Sequence, residues 1–206
     1  MIRIILLALL SVLLSGCDLI FKNSKGLAPE PQVYFPDGQE LKMATAIYDG
    51  DPRSVQSMIN DGVDLNRISK GGMTYLFYVM LTMNYDMMEL LLKNGADPNI
   101  HSDFYTRPDL HEKGLSDDKS TGVCLEYSGY RAYDIKYMKL LLKHGANIND
   151  TTYISPLSTA VRDQVQGKEK IKYLAENGLN LNFSKSGTPV IAGQALIFEW
   201  DMVLFL

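Results

Sequence analysis

The residues best equipped for chemistry in this 206-residue chain gather in one stretch, "HSDFYTRPDLHEKGLSDDKSTG", residues 101 to 122. His101 and His111 stand there with Asp103, Asp109 and Glu112. Imidazole and carboxylate are the donors a divalent ion takes, but the spacing matches no tight site, so the expectation is no metal and no cofactor. The third histidine, His144, sits where a helix end would use it as a basic cap. The chain has no G-x-S-x-G elbow, phosphate loop, H-E-x-x-H or C-x-x-C, which argues against an enzyme. The same stretch is rich in interface residue types. Phe104, Tyr105 and Arg107 are of the kind that dominate binding hot spots. Asp109, His111, Asp117 and Asp118 add polar and acidic groups, and Tyr127 and Tyr130 follow, then Tyr133. The expectation is a partner-binding surface made of Phe104, Tyr105, Arg107, Asp109, His111, Asp117, Asp118, Tyr127 and Tyr130. The competing expectation is that these aromatics pack the stretch onto its own structural unit.

What positions them is a repeated unit. "LLLKNGADPN" (residues 90 to 99) returns as "LLLKHGANIN" (140 to 149), with weaker copies at "DGVDLN" and "NGLNLN". In each, a Gly leads to Asp or Asn two residues on and to Asn four residues on. Gly62, Gly95, Gly145 and Gly178 are spaced by 33, 50 and 33 residues. One interval is 17 residues longer than the others, so one copy carries an insertion. Before each Gly lies a helical pattern: Val55, Met58 and Ile59 recur at i, i+3, i+4. Asp51 suits an N-cap and Pro52 the first helical position. "DMMELLLKNG" and "DIKYMKLLLKHG" open on Asp and close on Lys93 and Lys143, beside the helix's negative end. The Gly is the stop, and the Asx-x-Asn after it reads as a local turn. Half a unit earlier, "GMTYLFYVML", "ISPLSTAV" and "SGTPVIAG" read as capped first helices, with Pro156 and Pro189 at N1.

A unit of 33 residues built this way, carried by "GMTYLFYV" with "LLLKNGADPN", "SPLSTAV" with "YLAENGLNLN", and "LLLKHGANIN", resembles the ankyrin repeat. The resemblance covers roughly residues 39 to 206. It implies an all-α ankyrin-repeat solenoid of helix-turn-helix units with hairpin-like loops. About five repeats are expected, with an insertion near residues 101 to 121 and an incomplete last copy. It also implies protein binding. The family's usual first-helix histidine is missing, with Phe77 and Ser158 near its place, which implies looser copies. The closing "EWDMVLFL" reads as the start of another second helix and implies either a truncated unit or a covered apolar face.

The N-terminus reads as an address. Arg3 precedes an apolar run from Ile4 to Leu14, which suits a signal peptide over residues 1 to 16 rather than a membrane span. Leu14-Ser15-Gly16-Cys17 resembles the bacterial lipoprotein box, which implies lipid on Cys17 and membrane anchoring. Asp18 resembles an inner-membrane retention signal, favouring the inner over the outer membrane with the protein facing the periplasm. Residues 17 to 38, with Pro29, Pro31 and Pro36, read as a flexible tether. Net charge is −4 for the whole chain. It becomes −5 once Arg3 is removed with the signal, which argues against nucleic acid. With Cys17 assigned to lipid, Cys124 has no partner for a disulfide and reads as a buried thiol.

Lipid-anchored ankyrin proteins of this kind resemble immunity proteins of type VI secretion effectors, notably lipase effectors. That resemblance implies a periplasmic module that binds and blocks a toxin. The alternative is a periplasmic ankyrin scaffold for envelope or oxidative-stress proteins.

Overall fold

The structure, a computed structural model, describes residues 26, 28–36, 38–106, 108–150 and 155–180. Cys17, Asp18 and Arg107, the side chain of Asp109, and the "SGTPVIAG" and "EWDMVLFL" stretches lie outside the described residues. A 3-10 turn at Pro31–Val33 leads into helices α1 (Gly38–Asp49), α2 (Pro52–Asn60), α3 (Tyr75–Thr82) and α4 (Tyr85–Lys93). Strand β1 (Ser102–Tyr105), a short helix α5 (Pro108–His111) and strand β2 (Lys119–Gly122) follow. Then come α6 (Cys124–Ser128), α7 (Ile135–Lys143), α8 (Pro156–Val161) and α9 (Gly167–Glu176). The described protein is mostly helical, and no described helix is long and apolar enough to cross a membrane.

The helices pack in pairs: α1 with α2, α3 with α4, α6 with α7, and α8 with α9. Successive pairs meet through their first helices, α1 on α3, α3 on α6 and α6 on α8. Local chemistry sets the ends. The Asp51 carboxylate accepts from the Arg53 and Ser54 amides and Pro52 opens α2. Thr74 caps α3, Asp134 caps α7 and Ser155 caps α8 ahead of Pro156. Helix α4 is capped by Asn84 rather than Asp86, which falls in its first turn. Gly95 (φ +93°) and Gly145 (φ +85°) take the left-handed conformation at the helix stops.

The Asx-x-Asn frame proves to be more than a local turn. Its first member is local: Asp64, Asp97 and Asn147 each accept from the amide two residues on. Its second member reaches the next unit. The Asn66 side chain donates to the Gly95 carbonyl (3.0 Å) and accepts from the Asp97 amide (2.8 Å). Asn99 does the same with Gly145 (3.1 Å) and Asn147 (2.6 Å). Asn149 repeats it with Gly178 (3.1 Å) and Asn180 (2.7 Å). This asparagine ladder runs through the insertion without a break.

The lead segment is not a free tether over its whole length. Phe35 stacks on Tyr75 and meets Tyr78 edge-on. Tyr34 and Phe35 are buried, and the Tyr78 hydroxyl donates to the Pro29 carbonyl (2.6 Å). The prolines do exclude an α-helix there, but two aromatic rings hold residues 28–36 against the core.

A candidate partner-binding hairpin

The insertion, expected as a solvated loop, folds as an antiparallel hairpin. Ser102 pairs with Gly122, Asp103 with Thr121, Phe104 with Ser120, and Tyr105 with Lys119. The alternation of a strand sends Ser102 and Phe104 inward. The Ser102 hydroxyl accepts from the Thr74 amide (3.2 Å), tying the hairpin to the cap of α3. The Asp103 amide donates to the Gly72 carbonyl (2.8 Å). This approach is so close that a Cβ on Gly72 would fall 1.8 Å from the Asp103 oxygen.

Phe104 is 5% exposed and joins an internal aromatic chain. It meets Tyr34 at 5.3 Å and Phe77 at 5.3 Å between centroids. Phe77 meets Tyr127 at 4.7 Å, and Tyr127 meets Tyr130 at 5.6 Å. The Tyr127 hydroxyl is hydrogen-bonded to Ser120 on β2. Phe104 is therefore a core residue and not a surface contact, because its strand position faces the helices. Tyr127 and Tyr130 are half-buried, and Tyr127, on α6, fastens the hairpin through its bond to Ser120. Burial raises the Tyr127 phenol, with the Ser120 hydrogen bond opposing it. Burial, with a smaller contribution from Tyr127, pushes Tyr34 up to about 12. Both stay neutral at physiological pH. Phe77 is buried at the centre of this aromatic chain.

Of the other expected residues, Tyr105, His111, Asp117 and Asp118 come together at the hairpin's outer end. The Tyr105 ring stacks on His111 at 3.4 Å, with planes 13° apart. His111 Nδ1 lies 3.0 Å from Asp117 Oδ1. The Asp118 carbonyl accepts from the Thr106 amide (2.9 Å) and hydroxyl (3.2 Å). Lys119 Nζ lies 4.8 Å over Tyr105 and 3.8 Å from Asp103. His101 goes elsewhere, to Asp150 at 2.8 Å. The two histidines thus serve different carboxylates, and among the described residues no group of three His, Cys, Asp or Glu is placed to hold a metal. Cys124 is free and buried, and burial pushes its thiol well above the ordinary range. A thiol so protonated is a poor nucleophile.

Sequence reasoning overlooked two features. Leu115, at the hairpin's outer end, is 71% exposed; the signal was the pattern Leu110 to Gly114-Leu115, a helix stopped by glycine. Lys170 is fully buried, donating to Asp163 (2.8 Å) and to the carbonyls of Tyr133 (2.7 Å), Tyr130 (2.9 Å) and Gly129 (3.3 Å). It braces the segment that carries Tyr130 against α9.

Residues 71–103 match the ankyrin repeat, the span that holds the Gly71-Gly72 turn, α3, α4 and the start of β1. Over 172 residues the chain is 26% identical to an ankyrin repeat protein of fowlpox virus, covering 74% of this chain and 91% of that relative. A second fowlpox virus ankyrin repeat protein is 28% identical over 151 residues, which is 72% of this chain but only 18% of that protein.

Proposed function

We propose that this chain is a non-enzymatic protein-binding module of about five stacked ankyrin-type units. In this reading lipid on Cys17 holds it at a membrane facing the periplasm, the inner membrane by virtue of Asp18. There it binds and blocks a secreted lipase-type effector. Ankyrin repeats generally mediate protein–protein interaction, and stacked repeats read partners with their concave surface and projecting loops. The observation that carries the reading is the hairpin: a 17-residue elaboration mounted on an unbroken asparagine ladder. Insertions in one repeat of such an array concentrate on its binding side. The fifth unit, "SGTPVIAG" to "EWDMVLFL", and the anchor belong to residues outside those described.

Affinity capture of the full chain from membranes of a strain carrying its neighbouring genes tests this. The expected result is co-purification of a secreted effector, and a deletion strain sensitised to attack by sister cells. No effector and no sensitisation would remove the immunity reading. For the anchor, Cys17→Ser should release the protein from the membrane fraction; retention with normal processing would overturn lipidation.

A further inference from the structure

We propose that the cavity between the start of α1 and the turn after α2 binds a primary ammonium group, the end of a lysine side chain or of a free alkylamine, with Tyr75 and Glu40 as its acceptors. The site uses no hairpin residue and does not depend on which protein the array binds.

The cavity measures about 410 Å³ and is lined by Glu40 on α1, Asp64 in the turn, Arg67 and Lys70 beyond it, and Tyr75 at the start of α3. Tyr75 forms the deep wall. It is 2% exposed, and its ring stacks on Phe35 at 5.2 Å between centroids with planes 9° apart. Buried tyrosines ordinarily pair their hydroxyl, and its neighbours do. The Tyr34 hydroxyl donates to the Tyr105 carbonyl and the Tyr78 hydroxyl to the Pro29 carbonyl. The Tyr75 hydroxyl makes no hydrogen bond among the described residues. Nor is it sealed in the core as the unpaired Tyr133 hydroxyl is, because Tyr75 lines the cavity. A phenol oxygen held by a ring stack and left open to a cavity is a ligand group already in place.

Depth and charge select the ligand. The Glu40 side chain is 16% exposed and that of Arg67 64%, so the carboxylate lies deeper than its cation. Arg67 Nε meets Glu40 Oε1 at 2.7 Å, which leaves Oε2 for a ligand. Asp64 is exposed, with Oδ1 taken by the Asn66 amide (2.9 Å). Lys70 is exposed on the same wall and has a partner of its own. Asp37, before Gly38 in the sequence, lies outside the described residues. Burial first, then Glu40, push the Tyr75 phenol up to about 12; Arg67 opposes them and Asp64 adds to them. The hydroxyl is therefore neutral at pH 7, and the carboxylates outweigh the guanidinium where it stands. An ammonium entering there donates one N–H to the phenol oxygen and another to Glu40 Oε2, a charge-assisted bond. A carboxylate in its place would face Glu40 at close range. The compact point charge of an ammonium suits two converging acceptors better than the planar fork of a guanidinium.

The test titrates the full-length, nitrogen-15-labelled chain in detergent with Nα-acetyl-lysine N-methylamide and follows amide shifts by NMR. Shifts are expected at Gly62, Asp64 and Tyr75, saturating with a Kd of about 1 mM, as for a single small contact. The norleucine and glutamate analogues, lacking the ammonium or carrying a carboxylate, should give none. Tyr75→Phe removes the oxygen and keeps the ring stack. It should leave the thermal melt unchanged and weaken binding by about tenfold. Glu40→Gln should weaken it at least as much. Arg67→Gln removes a competing cation and should tighten it, whereas an anion site would lose affinity. Butylamine binding as tightly as the lysine derivative supports a free amine as the ligand, and weaker binding supports a polypeptide lysine. No shift at about 20 mM lysine derivative, well above that Kd, overturns the site. So do equal shifts from the norleucine or glutamate analogue, or wild-type affinity in a folded Tyr75→Phe chain.

Discussion

Lys170→Met removes a positive charge buried in the core around α6, α8 and α9 while keeping the apolar stem. Lys170 is 0% exposed and its partner Asp163 is 1% exposed. The ammonium makes four hydrogen bonds, one to the carboxylate and three to backbone carbonyls. Removing one member of a buried ion pair strands the other charge and costs about 3–5 kcal/mol. In a chain of this size 1 kcal/mol moves Tm by roughly 2–4 °C, so the melt should fall by about 6–20 °C. Adding Asp163→Asn removes the stranded charge but keeps an oxygen for the Val165 and Gln166 amides. The double variant should therefore melt above the single one. Circular dichroism melts and urea unfolding at pH 7 read both. A Lys170→Met chain melting within about 2 °C of wild type would refute the buried-pair argument.

The same pair sets a pH signature. Burial pushes the Asp163 carboxyl up, but the Lys170 hydrogen bond, the Gln166 and Val165 amides and the Lys170 charge outweigh it and hold the pKa below the ordinary value. A depressed folded pKa contributes stability that is fully present above the unfolded value, about 3.9. It is lost as pH falls through the folded value. The capping carboxylates Asp51 and Asp134 are also held low, by hydrogen bonds from Ser54 and the Lys136 amide first. They remain in both chains, so the acid limb lost in the Lys170→Met, Asp163→Asn chain isolates the buried pair.

Phe104→Ala should cost about 3–5 kcal/mol, as for a buried aromatic, and raise hydrogen exchange in the hairpin; a change under about 1 kcal/mol, within the range of surface sites, would mean the ring is not a core residue. Asn99→Ala loses two inter-unit hydrogen bonds at a half-exposed site. It should cost about 1–2 kcal/mol in urea unfolding, and an unchanged midpoint would remove the ladder as a source of stability. Cys124 should resist a thiol reagent in the native chain and react fully in denaturant; rapid native labelling would contradict its burial.

The helix pairs were readable because their ends obey local rules. Asp51-Pro52, Ser155-Pro156 and the unit glycines carry their meaning within a few residues. The asparagine ladder was only half legible: the frame was plain, but its second Asn acts across 29 residues at Asn66 and 46 at Asn99. The hairpin was missed because strands of four residues leave little periodicity in so polar a stretch. Strand register decided Phe104, since an aromatic at an inward position becomes core whatever its interface propensity. Lys170 was legible in hindsight. It falls with Gly167, Ile171 and Leu174 at i, i+3, i+4, i+7, the buried face of α9. A lysine on that face needs a buried acceptor, and Asp163 lies seven residues upstream.

The ladder and hairpin together explain how this fold carries an elaboration at little cost. Widening the Asn99-to-Asn147 loop to 48 residues, against 31 for the other rungs, adds closure entropy of only about 0.4 kcal/mol. Burying one phenylalanine contributes about 1.5–3 kcal/mol, and Phe104 is buried. The insertion thus supplies its own anchor and leaves the rungs on either side at ordinary lengths. At its outer end the hairpin meets the lead segment where the Tyr34 hydroxyl donates to the Tyr105 carbonyl (3.1 Å), and Leu115 in the turn beyond is 71% exposed. Substitutions in the exposed turn should therefore leave the packing of the helix pairs unchanged.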